Sequence, residues 1–261
     1  MPYFRTIRHR GDTLGGPVFI INIHSPTEGV IGVKIDHFSH IKPYPSIPLF
    51  PNAEPIKNYN LSKTDNEYFL STGGLTVEIT ENPYSLTFKS GKRYLTGVGL
   101  RHQALYDVPA RWTLGSAANS SCLARDTASN PNPEPLPDFV RYLHSELNLA
   151  PGELIYGLGE QFGPLAKNGQ SVKIWNQGAS FCPLAIFLHL RLLDGGTSSD
   201  QAYKCVPFYI SNRNYGVFIN HPGEVEFEVG SEKVSRVGVS VAGSNLEYFV
   251  IYGGTPLEVR V

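Results

Sequence analysis

The feature that most constrains this chain is a series of short segments in which apolar and polar residues alternate. In the segment 224–229, which reads EVEFEV, the apolar residues fall on one face and the glutamates on the other. A period of two is typical of an antiparallel strand with one face in water. Segments of this type predict strands at 18–24, 29–37, 67–71, 75–80, 85–89, 206–211, 215–220, 225–229, 234–241 and 246–252.

This pattern predicts the fold class, an all-β chain whose antiparallel strands stack as a β-sandwich. The 26 glycines and 20 prolines supply the turns between the strands. Residues 90–92 are predicted to form a hairpin tip, and the proline-rich stretches 42–55 and 128–138 to be extended surface connections. No amphipathic pattern predicts a helix, and no fixed period indicates a solenoid.

Charge and cysteine content exclude several classes of function. The 22 basic and 23 acidic side chains nearly cancel, so no overall field favours nucleic acid, an anionic membrane or a charged ligand. We therefore expect a neutral partner. The three cysteines, Cys122, Cys182 and Cys205, are too few and too widely spaced for a disulfide framework or a zinc site. We expect reduced thiols, no metal and no cofactor.

The N-terminal residues carry charge without the continuous apolar run of a signal peptide, which predicts a cytoplasmic protein. The most apolar stretch, residues 181–193, is shorter than the roughly 18 residues that indicate a membrane span. His37 and His40 follow a strand pattern and have no further His or Cys nearby, so they predict no metal site. No histidine is paired in sequence with a nucleophile in a way that predicts catalysis.

Two further patterns have structural interpretations. The run GLGE at 157–160 lacks the third glycine and the following helix of a dinucleotide site, so it is interpreted as a tight turn. The 14 tyrosines, 14 phenylalanines and 2 tryptophans mainly indicate a packed core. Tyr and Trp rings can also stack on sugar rings.

A set of ordered motifs resembles the N-terminal sandwich of glycoside hydrolase family 31, particularly its bacterial and fungal α-xylosidase branch. The motifs are GELIYGLGEQF (152–162), KNGQ (167–170), IWN (174–176), DGGTS (194–198), QAYK (201–204), VPFYI (206–210), NHP (220–222), FEVGSEKVS (227–235) and EYFV (247–250). Less specific similarity at 25–33 and 36–38 extends the resemblance over nearly the whole chain. The resemblance implies a galactose-mutarotase-like supersandwich over residues 1–261 and a role with α-linked xylosides or glucosides.

The resemblance also suggests two substrate-binding residues. In whole enzymes of the family a loop of the sandwich leans over the mouth of the catalytic barrel, and Asp194 and Thr197 occupy the matching motif positions. A carboxylate accepts two hydrogen bonds from sugar hydroxyls, and a threonine hydroxyl donates or accepts one. Turn and capping roles are equally open for both residues, because Asp-Gly-Gly is ordinary turn chemistry.

Two departures from the family pattern bear on activity. Residues 178–193 separate the IWN and DGGT motifs, which nearly adjoin in the family, and their apolar character is unusual for a loop. We interpret this insert as an unspliced intron or an error in the gene model, with a buried helix or an interaction segment as the alternative. Transcript reads that join Gln177 directly to Asp194 would establish the intron or gene-model error, and reads that cover the insert would exclude it. The chain also ends at Val261, where the family continues into a (β/α)₈ barrel with its two catalytic carboxyl groups.

We therefore assign no catalytic residues and expect a sandwich domain that is inactive by itself. Two alternatives stay open at this point. One is a free-standing carbohydrate-binding module with a Tyr or Trp platform, and the other is an interaction module that docks through residues 181–193. The sequence gives no indication of the oligomeric state.

Overall fold

The computed structural model describes His9 and residues 17–37, 59–109, 139–176 and 204–259. Within these ranges the chain forms strands joined by turns and bends, without a helix, which confirms the all-β class. In this described part there is consequently no helix that is long and apolar enough to cross a membrane. Neighbouring strands are antiparallel throughout.

The strands form three sheets. The six-stranded sheet has the order β1 (Ile20–His24), β2 (Val30–Asp36), β16 (Asn245–Tyr252), β13 (Tyr215–Ile219), β12 (Phe208–Ser211) and β10 (Ile155–Gly157). One five-stranded sheet has the order β11 (Gln170–Ile174), β14 (Val225–Val229), β15 (Arg236–Ala242), β9 (Phe139–Asn148) and β8 (Gln103–Pro109). The other has the order β3 (Tyr59–Lys63), β4 (Glu67–Thr72), β5 (Leu75–Thr80), β6 (Ser85–Ser90) and β7 (Arg93–Val98).

One apolar core receives side chains from all three sheets. Val33 of β2, Val77 of β5 and Phe227 of β14 are all completely buried members of it. On β14 the buried Val225, Phe227 and Val229 alternate with glutamates that face outward, as the sequence pattern predicts. The period-two segments therefore bury one face in the core and leave the other toward solvent, as an antiparallel sandwich requires.

The six-stranded sheet is apolar on its other face as well. Val30, Phe249 and Ile251 point away from the shared core and pack with Val259, which follows β16 in the chain. Gly216 leaves room for this contact, because a Cβ atom there would lie 2.8 Å from Cγ1 of Val259. The residues after β16 thus cover part of the outer surface of this sheet.

The structure confirms every strand that the alternating pattern predicts, with ends that differ by at most two residues. It also confirms the hairpin tip at 90–92, where Gly91 has a φ of +57° between β6 and β7. The predictions for 42–55, 128–138 and 178–193, together with His40, Cys122 and Cys182, lie outside the described residues.

Several observed strands escaped the pattern, and β9 is the longest of them. Its buried positions include Ser145 and Glu146 as well as Leu143 and Leu147, so polar and apolar residues do not alternate along it. Its partner β8 contains Asp107 and ends at Pro109, both unfavourable in strands. These two strands therefore form because they pair with each other, and not because their residues favour β structure.

Candidate functional site

The most informative surface lies between Trp175 and Asn176, which follow β11, and Cys205, on the two sides of the segment 177–203. The side chain of Asn176, after β11, accepts a hydrogen bond through Oδ1 from the backbone N–H of Cys205 at 2.7 Å. The thiol of Cys205 also donates to the carbonyl oxygen of Trp175 at 3.4 Å. The two ends of this segment are therefore held side by side, whatever path the residues between them take.

The GLGE run at 157–160 holds Lys204, the first described residue after the segment 177–203, in place. Gly157, Leu158 and Gly159 all have positive φ, in keeping with the turn predicted there. The N–H of Glu160 donates to the carbonyl of Lys204 at 2.9 Å. A Cβ atom on Gly159 would lie 2.2 Å from that same carbonyl oxygen. Glycine is required at this position both by its φ of +79° and by the close approach of the neighbouring backbone.

The preceding residues of the GELIYGLGEQF motif are anchored from below by a buried glutamate. The Glu153 carboxylate accepts hydrogen bonds from the Ser211 hydroxyl at 2.5 Å and from the Ala150 N–H at 2.9 Å. A guanidinium nitrogen of Arg213 lies 4.0 Å away. A buried carboxylate needs such donors to be tolerated, so this network holds the start of the motif in one position.

A cleft of about 330 Å³ opens at this point, and we call it the loop-base cleft. It combines one broad aromatic side chain with several small or polar groups, and Trp175 is 49% exposed there. The lining residues are Ile174, Trp175, Asn176, Cys205, Pro207, His221, Pro222, Gly223 and Val225. The cleft has the size at which small-molecule sites begin.

His221 lies in this cleft as a neutral, structurally engaged imidazole. Its Nδ1 accepts a hydrogen bond from the Gly223 N–H at 3.2 Å, which assigns the proton to Nε2. That Nε2–H donates to the carbonyl of Ala242 at 3.1 Å. Burial lowers the pKa of His221, so the ring stays uncharged near neutral pH. Its geometry supports the turn between β13 and β14 and does not indicate acid–base catalysis.

No aspartate or glutamate is among the described residues that line the loop-base cleft. The nearby Glu160 is exposed and lies 3.5 Å from the ammonium group of Lys204. The described part of the chain also contains no group of three His, Cys, Asp or Glu side chains suited to a metal ion. His37 instead contacts the carbonyl of Val18 through Nδ1 at 3.0 Å.

The two residues proposed from the family motif, Asp194 and Thr197, belong to the segment 177–203 and lie outside the described residues. The structure places the base of their segment at the cleft but says nothing of their side chains. Sequence reasoning did not single out Trp175, Asn176 or Cys205 as lining residues. The IWN motif could have indicated the cleft, because all three of its residues line it.

Comparison with known proteins finds related sequences over most of this chain. The family described as the glycosyl hydrolase 31 N-terminal galactose mutarotase-like domain matches residues 20–228. An α-xylosidase from Emericella nidulans is 38% identical over 97% of this chain and 29% of its own length. An α-xylosidase from Lactiplantibacillus pentosus is 36% identical over 99% of this chain and 28% of its own length. The chain thus spans less than a third of these two curated relatives.

Solved structures agree on the fold. A family 31 α-xylosidase from a soil metagenome, complexed with xylose, has a TM-score of 0.61 at 14% identity, over 92% of this chain and 31% of its own. A family 31 dextranase from Flavobacterium johnsoniae, complexed with glucose, has a TM-score of 0.58 at 17% identity, over 94% and 27%. Together with the match over residues 20–228, these findings show that the chain belongs to the N-terminal galactose mutarotase-like domain family of glycoside hydrolase family 31.

Proposed function

We propose that this chain serves as the sandwich portion of an α-xylosidase or a related α-glucosidase. The observation that carries the proposal is the match of nearly the whole chain to two α-xylosidases at 38% and 36% identity. The nearly balanced charge is consistent with a neutral α-linked sugar as the ligand. We also propose the cytoplasm as its location, where a thiol such as that of Cys205 stays reduced.

We propose that the contribution of this domain to substrate binding comes from the segment that begins and ends at the loop-base cleft. Asp194 and Thr197 lie on this segment, which is held at its base by the contact of Asn176 with Cys205. A rigid base would let a short loop present the Asp194 carboxylate and the Thr197 hydroxyl to sugar hydroxyl groups. The exposed ring of Trp175 at the same base offers an apolar surface for a sugar ring.

We propose further that the 261-residue chain has no hydrolase activity of its own. Retaining hydrolysis needs two carboxyl groups about 5 Å apart on either side of the scissile bond. The loop-base cleft has no carboxyl group among its described lining residues, and the 261 residues contain neither catalytic motif of the family. The reaction would therefore require a catalytic barrel beyond these residues.

The insert at 178–193 is proposed as dispensable for this role. Because Asn176 and Cys205 close the base, removal of the insert would leave a shorter loop between the same two ends. A buried helix or a docking segment remains the alternative, and it predicts loss of folding or of a partner when the insert is deleted.

The test is hydrolysis of p-nitrophenyl α-xyloside and α-glucoside by the purified chain and by a variant that lacks residues 178–193. A complete family 31 α-xylosidase serves as the positive control for the assay. We expect no turnover from either form, and turnover by either would overturn the proposed inactivity.

Calorimetric titration with xylose on the same preparations tests the substrate-binding residues. We expect Asp194→Asn to weaken xylose binding by about tenfold, as loss of a charged acceptor implies. Asp200→Asn, in the same segment, is the matched control and should bind as the parent chain does. Equal weakening in both variants, or no xylose binding by the parent chain, would contradict the assignment of Asp194.

A further inference from the structure

A second surface begins on β14, a strand that also contributes Val225 to the loop-base cleft, and extends to the far edge of the same sheet at β8. It combines aromatic and polar side chains on one sheet face. We call it the tyrosine face and define it by Tyr106 of β8, Tyr142 and His144 of β9, Ser240 of β15 and Glu226 of β14. The sheet register puts Tyr106 opposite Tyr142, His144 opposite Ser240, and Ser240 opposite Glu226. Leu143, Val239 and Phe227, which alternate with them along β9, β15 and β14, are buried in the core, so the five side chains share the outer face.

The two tyrosine rings stack on each other, and we call this pair the platform. The Tyr106 hydroxyl donates to Oγ of Ser240 at 3.1 Å, although β9 separates their strands. Since neighbouring strands are about 4.8 Å apart, the Tyr106 side chain must lean over β9 to reach β15. The Tyr142 ring is parallel to it within 13°, at a centroid distance of 5.6 Å. Tyr106 is 39% exposed, so the platform is open to solvent.

A chain of hydrogen bonds fixes the centre of the face. The Ser240 hydroxyl, which accepts from Tyr106, also lies in hydrogen-bonding contact with Nδ1 of His144 at 2.9 Å. The other ring nitrogen of His144 lies 3.5 Å from the buried Glu146 carboxylate. These contacts hold Tyr106 and His144 in place before any ligand arrives, which reduces the entropy lost on binding.

Glu226 differs from the glutamates beside it. Glu224 lies 2.8 Å from the ammonium of Lys173, and Glu228 accepts from the Ser171 hydroxyl at 2.7 Å. The Glu226 carboxylate has no hydrogen-bond donor among the residues that the structure describes, although it lies beside the tyrosines. Burial, followed by the charges of Glu228 and Glu224, raises the pKa of Glu226. The side chain is exposed on the outer face, so its carboxylate can accept hydrogen bonds from a ligand.

We propose that the tyrosine face is a binding site for a neutral oligosaccharide, separate from the loop-base cleft. Aromatic rings pack against the C–H faces of pyranose rings, and the exposed Glu226 carboxylate can accept hydrogen bonds from sugar hydroxyls. The surrounding glutamates disfavour phosphate or carboxylate ligands. This site goes beyond the proposed function, because it holds sugar on the sandwich itself and does not depend on residues 177–203.

A cationic peptide is the rival occupant of the tyrosine face, because Glu226 and the rings would also attract Lys or Arg. The saccharide is favoured since three carboxylates around this face, those of Glu224, Glu228 and Glu146, already have partners among the described residues. A site for a polycationic segment would present several unpaired charges together.

The test is calorimetric titration of the 261-residue chain with isomaltotriose as the probe. We expect Tyr106→Ala and Tyr142→Ala each to weaken binding about tenfold, and Glu226→Gln, which preserves shape, about threefold. Tyr142→Phe keeps the ring and should retain most of the affinity. Tyr68→Ala, on β4 of the other five-stranded sheet, is the matched control and should bind as the parent does.

Three results would overturn this proposal. The first is an absence of isomaltotriose binding by the parent chain. The second is binding that Trp175→Ala abolishes while Glu226→Gln and the tyrosine variants leave it intact, which would move the site to the loop-base cleft. The third is displacement of isomaltotriose by a hexalysine peptide whose own binding strengthens at low salt, which would identify a cationic partner. Circular dichroism of each variant verifies that it is folded.

Discussion

The loop-base cleft and the tyrosine face are built by different physical means. The cleft depends on backbone geometry, because it needs glycine at Gly159, an amide acceptor at Asn176 and a neutral imidazole at His221. The tyrosine face depends on side chains from four strands and adjoins charged groups such as Glu146 and Lys233. The difference teaches that the first surface should be sensitive to added bulk, and the second to charge and pH.

The largest effect should come from added bulk below the cleft. Gly159→Ala would place a Cβ atom 2.2 Å from the Lys204 carbonyl in a residue with a φ of +79°. We expect the free energy of unfolding to fall by about 3 kcal/mol or more, since steric overlap adds to backbone strain. Gly169→Ala is the matched control: its φ is +80°, but nothing lies within 4 Å of the added atom. This control should lose only about 1–2 kcal/mol.

Urea unfolding of both variants measures the contrast. Equal losses for Gly159→Ala and Gly169→Ala would mean that backbone strain alone matters and that the approach of Lys204 is unimportant. The cleft would then be less dependent on backbone contact than the comparison implies.

A smaller effect should come from charge beside the tyrosine face. The side chain of Glu146 is buried and contacts the ammonium of Lys233, with a guanidinium nitrogen of Arg236 3.7 Å away. Burial alone would raise the pKa of Glu146, but the hydrogen bond and the charge of Lys233 outweigh it and lower the pKa below 4.5. We expect Glu146→Gln to reduce the free energy of unfolding by about 2 kcal/mol at neutral pH.

The pH dependence follows from this direction. A carboxyl group with a depressed pKa in the folded state stabilises the protein fully above its unfolded pKa. That contribution is lost as the pH falls through the folded value. The difference in unfolding free energy between the parent chain and Glu146→Gln should therefore be constant near neutrality and shrink below about pH 4.5. A difference that grows on acidification would contradict the charge assignment.

The smallest effect should come from the amide that closes the loop base. Asn176→Ala removes the acceptor of the Cys205 N–H, so we expect a loss of about 1 kcal/mol in the free energy of unfolding. Asn60→Ala, at an exposed position of β3, is the control and should change stability by less than about 0.5 kcal/mol. Thermal unfolding distinguishes the two. If Asn176→Ala lowers the free energy of unfolding no more than Asn60→Ala does, the hydrogen bond between Asn176 and Cys205 does not stabilise the cleft.

Sequence reasoning reached the fold because strands such as β14 carry their own alternation, which one-sided burial requires. It predicted the turn at GLGE but not the cleft, although the motifs GELIYGLGEQF and IWN border that cleft. The roles of Asp194 and Thr197 stay predictions.

The tyrosine face was not predictable in the same way. Tyr106 and Tyr142 are separated by residues 110–138, and Ser240 and Glu226 come from a much later part of the chain. Only the register of β8, β9, β15 and β14 brings these side chains together. Register depends on which strands pair, and β8 and β9 lack the alternation that would have revealed them as strands.

The closed base of the 177–203 segment has an evolutionary consequence. For a flexible loop with fixed ends, the entropy of closure grows only with the logarithm of its length. Lengthening the connection by the sixteen residues 178–193 would therefore cost about 0.8 kcal/mol in closure entropy. Selection for stability alone would hardly oppose so small a penalty. We accordingly expect this connection to tolerate insertions, deletions and a grafted foreign peptide while the sandwich keeps its topology.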